Sequence, residues 1–247
     1  MIQRPLALVA LAITFAAVSL LGCMRQPPPQ TDNAPRPAAS VETTPAANWI
    51  TAAPAGEYKV EPSHASVTFR LDHLGFSKYT ARFKRLDGNL KFDPVDPAKS
   101  QVDVAIDVAS LETDFPFPDK VDFNAELIGP GWLDARRFPQ ITFRSTRIDL
   151  TGERTMDIQG TLTLHGVTKP VTLQANFNGG YAGHPMDPNA RIGFSARTRI
   201  NRSAFGVSAG IPAPGTTMGV GDAVEVWIEV EFTGPPLAQP VPASPAT

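Results

Sequence analysis

The sequence predicts an all-β fold in which an antiparallel sheet buries its apolar face against itself, as a sandwich or a closed barrel. Two observations lead there. Apolar and polar residues alternate with a period of two through most of the middle of the 247-residue chain, the pattern of strands with one buried and one solvated face. Only one stretch has helical spacing, and one helix cannot cover about eight strands.

The first strand places Ala65, Val67, Phe69 and Leu71 on one face and Ser66, Thr68, Arg70 and Asp72 on the other. A second sets Val102, Val104, Ile106 and Val108 against Asp103, Ala105 and Asp107. Pro118-Asp119-Lys120, followed by Val121, Ala125 and Ile128, fits a short helix that stops at Gly129-Pro130. Alternation resumes at Met156, Ile158, Gly160, Leu162 and Leu164, and again at Val171, Leu173, Ala175 and Phe177. Between these two runs, His165 to Pro170 reads as a loop, with Gly166 available for positive φ and Pro170 unable to donate a ladder hydrogen bond. His165 is thereby most simply a connector residue. Ile192, Phe194, Ala196, Thr198 and Ile200 form the next strand, and Val224, Val226, Ile228, Val230 and Phe232 the last.

The two ends of the chain have a different character. Arg4 precedes an uncharged apolar run from Leu6 to Leu21, the layout of an export signal over residues 1–22. That run falls at the lower limit of the ~20 residues a membrane-spanning helix needs. It ends in Leu20-Leu21-Gly22-Cys23, which resembles the lipobox of bacterial lipoproteins, in which the cysteine is lipidated and becomes the new N-terminus. Cys23 is the only cysteine, so the exported domain has no internal disulfide. Residues 24–56 are rich in Pro, Ala and Thr and read as an extended tether. Residues 234–247 share that composition and read as a disordered tail. One domain, residues 57–233, remains. The net charge of −2 includes no basic block, which argues against nucleic acid as a partner.

Six segments taken together resemble the YceI-like family of bacterial envelope proteins, lipocalin-like polyisoprenoid-binding domains. They are YKVEPSHASVTFRLDHLGFSKYTARF, GNLKFDP, GWLDARRFPQITFRS, GTLTLHGVTKPVTL, RINRSAFGV and VGDAVEVWIEVEF, in order from Tyr58 to Phe232. The resemblance implies an extended eight-stranded antiparallel lipocalin-like barrel with one short helix. It also implies a long apolar channel for a polyisoprenoid, an isoprenoid quinone or another long-chain lipid. The residues alone do not choose between that channel and a dry core. Large Phe69, Phe83, Phe143 and Phe194 mix on the inward rows with small Ala65, Gly160, Ala175 and Ala196, and such a mixture either interdigitates or leaves a tunnel.

With that fold, strand parity directs Phe69, Leu71, Phe83, Phe143, Leu162, Phe194 and Ile200 into the channel, with His73 and Arg202 toward its polar end. Arg202 is read either as a bidentate donor to a diphosphate head group or as a buried brace on backbone carbonyls or Asp222. His64, His73, His165 and His184 lack the close spacing of a zinc site. There is no G-x-S-x-G and no second thiol. Glu112 with Asp114, and Asp119 with Asp122, read as loop and cap carboxylates. The expectation is a non-enzymatic carrier or reservoir without metal or cofactor, held in the periplasm on a membrane by lipidated Cys23. Met24 after that cysteine is compatible with the outer membrane. A filled barrel that displays a surface, an enzyme acting on a lipid, and a homodimer are the alternatives left open.

Overall fold

The computed structural model describes residues 51–237, so the signal segment, Cys23, most of the proposed tether and the end of the tail lie outside the described residues. Ten strand segments follow one another: β1 (Gly56–His73), β2 (Ser77–Phe83), β3 (Leu86–Phe92), β4 (Gln101–Asp107), β5 (Leu111–Glu112), β6 (Gln140–Leu150), β7 (Thr155–Leu164), β8 (Val167–Tyr181), β9 (Asn189–Asn201) and β10 (Val220–Pro236). Every pairing is antiparallel, and β10 returns to β1 to close the ring.

The ten segments make eight strands. The first residues of β1 pair with β3 and its last residues with β2, so β2 and β3 are one long strand interrupted at Lys84-Arg85. Likewise β4 lies beside β3 and β5 beside β2, interrupted by the 3-10 turn Val108–Ser110. Hydrogen bonds join the two breaks: Ser110 Oγ accepts from Arg85 N at 3.0 Å, and Arg85 Nε and Nη2 donate to Asp107 Oδ2 at 2.9 and 2.7 Å. Val108, expected in the strand, is buried within that turn. The result is a closed eight-stranded antiparallel barrel with one short helix.

Several boundaries differ from the sequence reading. The helix α1 is only Phe123–Leu127, capped by Asp122 Oδ1 accepting from Ala125 N at 2.9 Å, because residues 118–121 are taken up in a turn in which Lys120 N donates to Phe117 O. The β7–β8 connection is only two residues. His165 and Gly166 have φ of 50° and 74°, the two positive values of a type I′ hairpin turn. Strand β8 has already resumed at Val167, and Pro170 stands opposite Thr161. Proline is accommodated because β8 has no ladder on its other side until Gln174 meets Arg197. In β1, the register jumps between Val60↔Phe232 and Ala65↔Val230, so Glu61-Pro62-Ser63-His64 bulges from the wall.

The domain also extends past both expected ends. Strand β10 runs to Pro236, and a Cβ on Gly234 would fall 2.1 Å from Tyr58 Cε1, so only glycine lets that ring lie flat on the strand. Upstream, Ala53 is buried, Thr51 Oγ1 donates to Gly180 O at 3.2 Å, and Tyr58 Oη donates to Pro54 O at 2.7 Å. Thr51, Ala53 and Pro54, assigned to the tether by composition, pack against the barrel at Gly180 and Tyr58.

Candidate functional site

The barrel wall alternates as the sequence requires, yet many inward side chains are not fully buried. Phe69, Val102, Val104, Ile106, Phe143, Leu162, Phe194 and Ile228 remain only partly buried although they face the interior. They border a cavity of about 670 Å³ whose lining is almost wholly apolar. That volume lies within the ~300–1,000 Å³ usual for small-molecule pockets.

Phe69, Leu71, His73, Phe83, Phe143, Leu162, Phe194, Ile200 and Arg202 all border this one cavity. Strand parity was enough to bring them together. The small residues behave less simply. A Cβ on Gly160 would stand 2.4 Å from Phe143 Cζ and 2.4 Å from Arg144 O, so the space at Gly160 is filled by the ring of the neighbouring strand. Ala175 and Ala196 do face the cavity.

One end is closed. Tyr58 and Phe92 pack edge to face at 5.9 Å, and Phe194 contacts both Phe177 (5.7 Å) and Phe232 (6.2 Å). Burial lifts the Tyr58 hydroxyl from its ordinary 10 to about 12.

The other end is roofed by the chain between β5 and β6, which sequence periodicity did not bring into the site. Phe115, Phe123, Leu127, Trp132 and Leu133 from this segment line the cavity. Phe123 packs on Phe115 at 5.2 Å and edge-on to Tyr79 at 5.9 Å. The segment is tied down by Asn124: its Oδ1 accepts from Thr113 N (3.0 Å) and Thr113 Oγ1 (2.6 Å), while its Nδ2 donates to Glu112 Oε1 at 3.1 Å. Glu112 also receives Lys84 Nζ at 2.9 Å, and together these donors hold its carboxyl down at about 2. The only sequence signal for this roof was its density of aromatic residues. Exposed Phe76, Phe117 and Met218 lie around the same end.

Arg202 acts as a brace, as one of its two readings expects. Its Nε, Nη1 and Nη2 donate to the carbonyls of Gly221 (2.9 Å), Val207 (3.1 Å) and Val220 (2.8 Å). Its guanidinium lies 5.6 Å from the Trp132 ring, and burial pulls its pKa below the ordinary arginine value, with Asp222 opposing. Asp222 itself accepts from Ser203 N and Oγ at 2.8 and 2.9 Å. Three of its five N–H groups are thus engaged on backbone carbonyls, while its side chain also borders the cavity. His73 is exposed at the cavity's end.

His165 occupies the hairpin turn, its ring 4.5 Å from that of Phe138. Among the described residues, no three His, Cys, Asp or Glu side chains gather to hold a metal ion.

A YceI-like domain matches residues 58–232. A UPF0312 protein of Pseudomonas putida strain W619 is 40% identical over 167 residues, 66% of this chain and 80% of that one. The crystal structure of Burkholderia cenocepacia BcnA superposes with a TM-score of 0.59 at 26% identity, covering 70% of this chain and 98% of its own. A polyisoprenoid-binding domain from Saccharophagus degradans shares the fold at a TM-score of 0.54 and 16% identity, over 74% of this chain and all of that one.

Proposed function

The chain belongs to the YceI-like domain family, and from that membership we propose that its barrel binds a long-chain isoprenoid or a related amphiphilic lipid without catalysing a reaction on it. The observation that carries this reading is the apolar cavity of about 670 Å³. Leaving such a space empty is costly: at roughly 24 cal/mol per Å³ of unfilled volume, the penalty is comparable to the ~5–15 kcal/mol net stability of a whole domain. An apolar occupant recovers that loss. Binding from water gains ~0.8 kcal/mol for each buried CH₂, but a lipid leaving a bilayer forfeits the same contacts. Net preference over the membrane is then modest, which suits a carrier or reservoir.

Two further points support the reading. The lining presents no nucleophile paired with a base, and its one buried cation, Arg202, braces three carbonyl oxygens. A protein with the same fold is described as a polyisoprenoid-binding domain. The working place we propose is the bacterial envelope, with the domain held on the periplasmic side of the outer membrane through lipidated Cys23. Solvent extraction of protein purified from its bacterial source, followed by mass spectrometry, tests the function: a recurrent long-chain lipid near one per chain is expected, and its absence would count against the proposal.

A further inference from the structure

The barrel wall is incomplete at one place. The β8–β9 ladder begins at Gln174↔Arg197 and runs to Tyr181↔Arg191. Ahead of it, Val167–Leu173 pair with β7, and Thr198–Asn201 do not pair with β8 although all four still pair with β10. In place of a ladder, Thr198 Oγ1 donates to Thr172 O at 2.8 Å across the gap. Beyond it the wall closes again where the turn at His165 meets Gly206, whose added Cβ would lie 3.4 Å from His165 Nδ1. The gap is thus a bounded window.

This window lies between two spaces. Val171, Leu173 and Ile200 face the internal cavity, while Thr172, Arg199 and Trp227 line a groove of mixed polarity and about 470 Å³ on the outer wall. Thr198 and Val226 line both. The groove's charges are unevenly satisfied. Glu225 is met chiefly by Lys78, also by Arg70 Nη2 at 3.6 Å and more weakly by Arg199, and Arg70 lies 3.8 Å over the Trp227 ring. Arg197 uses Nε on Gln174 Oε1 at 3.1 Å, leaving its terminal nitrogens for a ligand. Exposed Arg197 and Arg199 thus share the groove with two carboxylates, Asp157 and Glu225, the latter opposite Arg199 in the ladder.

We propose that the polar head of a cavity-bound amphiphile leaves the barrel through this window, and that Arg197 and Arg199 hold an anionic head group, a phosphate or carboxylate, beside Trp227. The inference rests on the lipid-binding reading above and adds where the head lies and what charge it carries. An anion inside the cavity would be stripped of water among almost wholly apolar walls, where Arg202 already holds three carbonyls. Through the window, the chain stays in the apolar interior while the charge meets guanidinium donors and solvent.

The test uses the delipidated full chain, with a polyprenyl monophosphate and the matching polyprenol as probes, and inorganic phosphate as competitor. We expect R197Q/R199Q to lose about tenfold in affinity for the phosphate, the loss of a charge-assisted hydrogen bond or two, with the alcohol changed less than about twofold. R197K/R199K should retain most phosphate binding, because the charge is kept. Equal binding of both probes by the glutamine variant and the unaltered chain would overturn the head-group site alone. Loss of both probes together would also overturn it. Displacement of the lipid phosphate by millimolar inorganic phosphate would assign the arginines to a free anion and overturn the window's role. Failure of the unaltered chain to bind either lipid would overturn the lipid-binding reading itself.

Discussion

Arg202 Nη2 donates to the carbonyl oxygen of Val220 at 2.8 Å, and this bond joins the turn that follows β9 to the start of β10 at the barrel's roofed end. Truncation would leave three carbonyls without their donor in a site where Arg202 is only 5% exposed. Arg202→Ala is expected to cost about 2–4 kcal/mol, lowering the melting temperature by roughly 5–15 °C. Lipid affinity measured below the transition should remain within about threefold. Unchanged thermal stability together with lost binding would return Arg202 to the role of ligand contact.

Cavity volume itself can be varied. Leu162 faces the hollow and is only partly buried, so Leu162→Trp places added bulk where the lipid chain would lie. Lipid affinity should fall at least about tenfold, while the ligand-free protein should melt no lower than the parent, because added atoms fill a void. Calorimetric titration and thermal unfolding check both halves. A drop in stability would mean that the interior is already close-packed.

The turn at His165-Gly166 separates a structural histidine from a chemical one. A Cβ on Gly166 would stand 2.5 Å from Phe138 Cε1, and its φ of 74° disfavours any side chain. Gly166→Ala should cost about 1–3 kcal/mol. His165→Asn, which tolerates positive φ, should change stability by less than about 1 kcal/mol and leave lipid binding intact. Loss of binding in a folded H165N protein would contradict the connector role.

Two groups give the pH dependence. The Glu112 carboxyl is lowered from 4.5 to about 2 by Lys84, Asn124 and Asp114 N, so the tie to α1 is fully present above pH 4.5 and is lost as pH falls toward 2. Hydrogen exchange in residues 123–127 should quicken across that window and be insensitive to it in Glu112→Gln. Tyr58 is raised from 10 to about 12, so its contribution is present below pH 10 and is lost as pH rises through 12. Tyr58→Phe should blunt that alkaline loss, read by circular dichroism.

Period-two alternation set the strands and their inward faces, because a buried face constrains every second residue whatever the loops do. It therefore gathered Phe69, Phe143 and Phe194 around one cavity without coordinates. It did not reveal the roof: Phe115, Phe123 and Trp132 sit in irregular chain, where spacing carries no facing information. Nor did it reveal the β8–β9 window, since Val171 and Ile200 alternate in the same way whether or not a ladder joins them. Composition also set the tail and tether boundaries too near the core, because Pro236 and Ala53 are held by local contacts with β9 and the barrel end that a Pro/Ala-rich average does not register.

The most direct measurement is native mass spectrometry of the delipidated chain titrated with a long-chain polyprenol. A one-to-one complex that saturates, and that L162W fails to form, is the result expected of a hollow, lipid-filled barrel. No saturable complex at any ratio, from a chain that circular dichroism reports as folded, would contradict it.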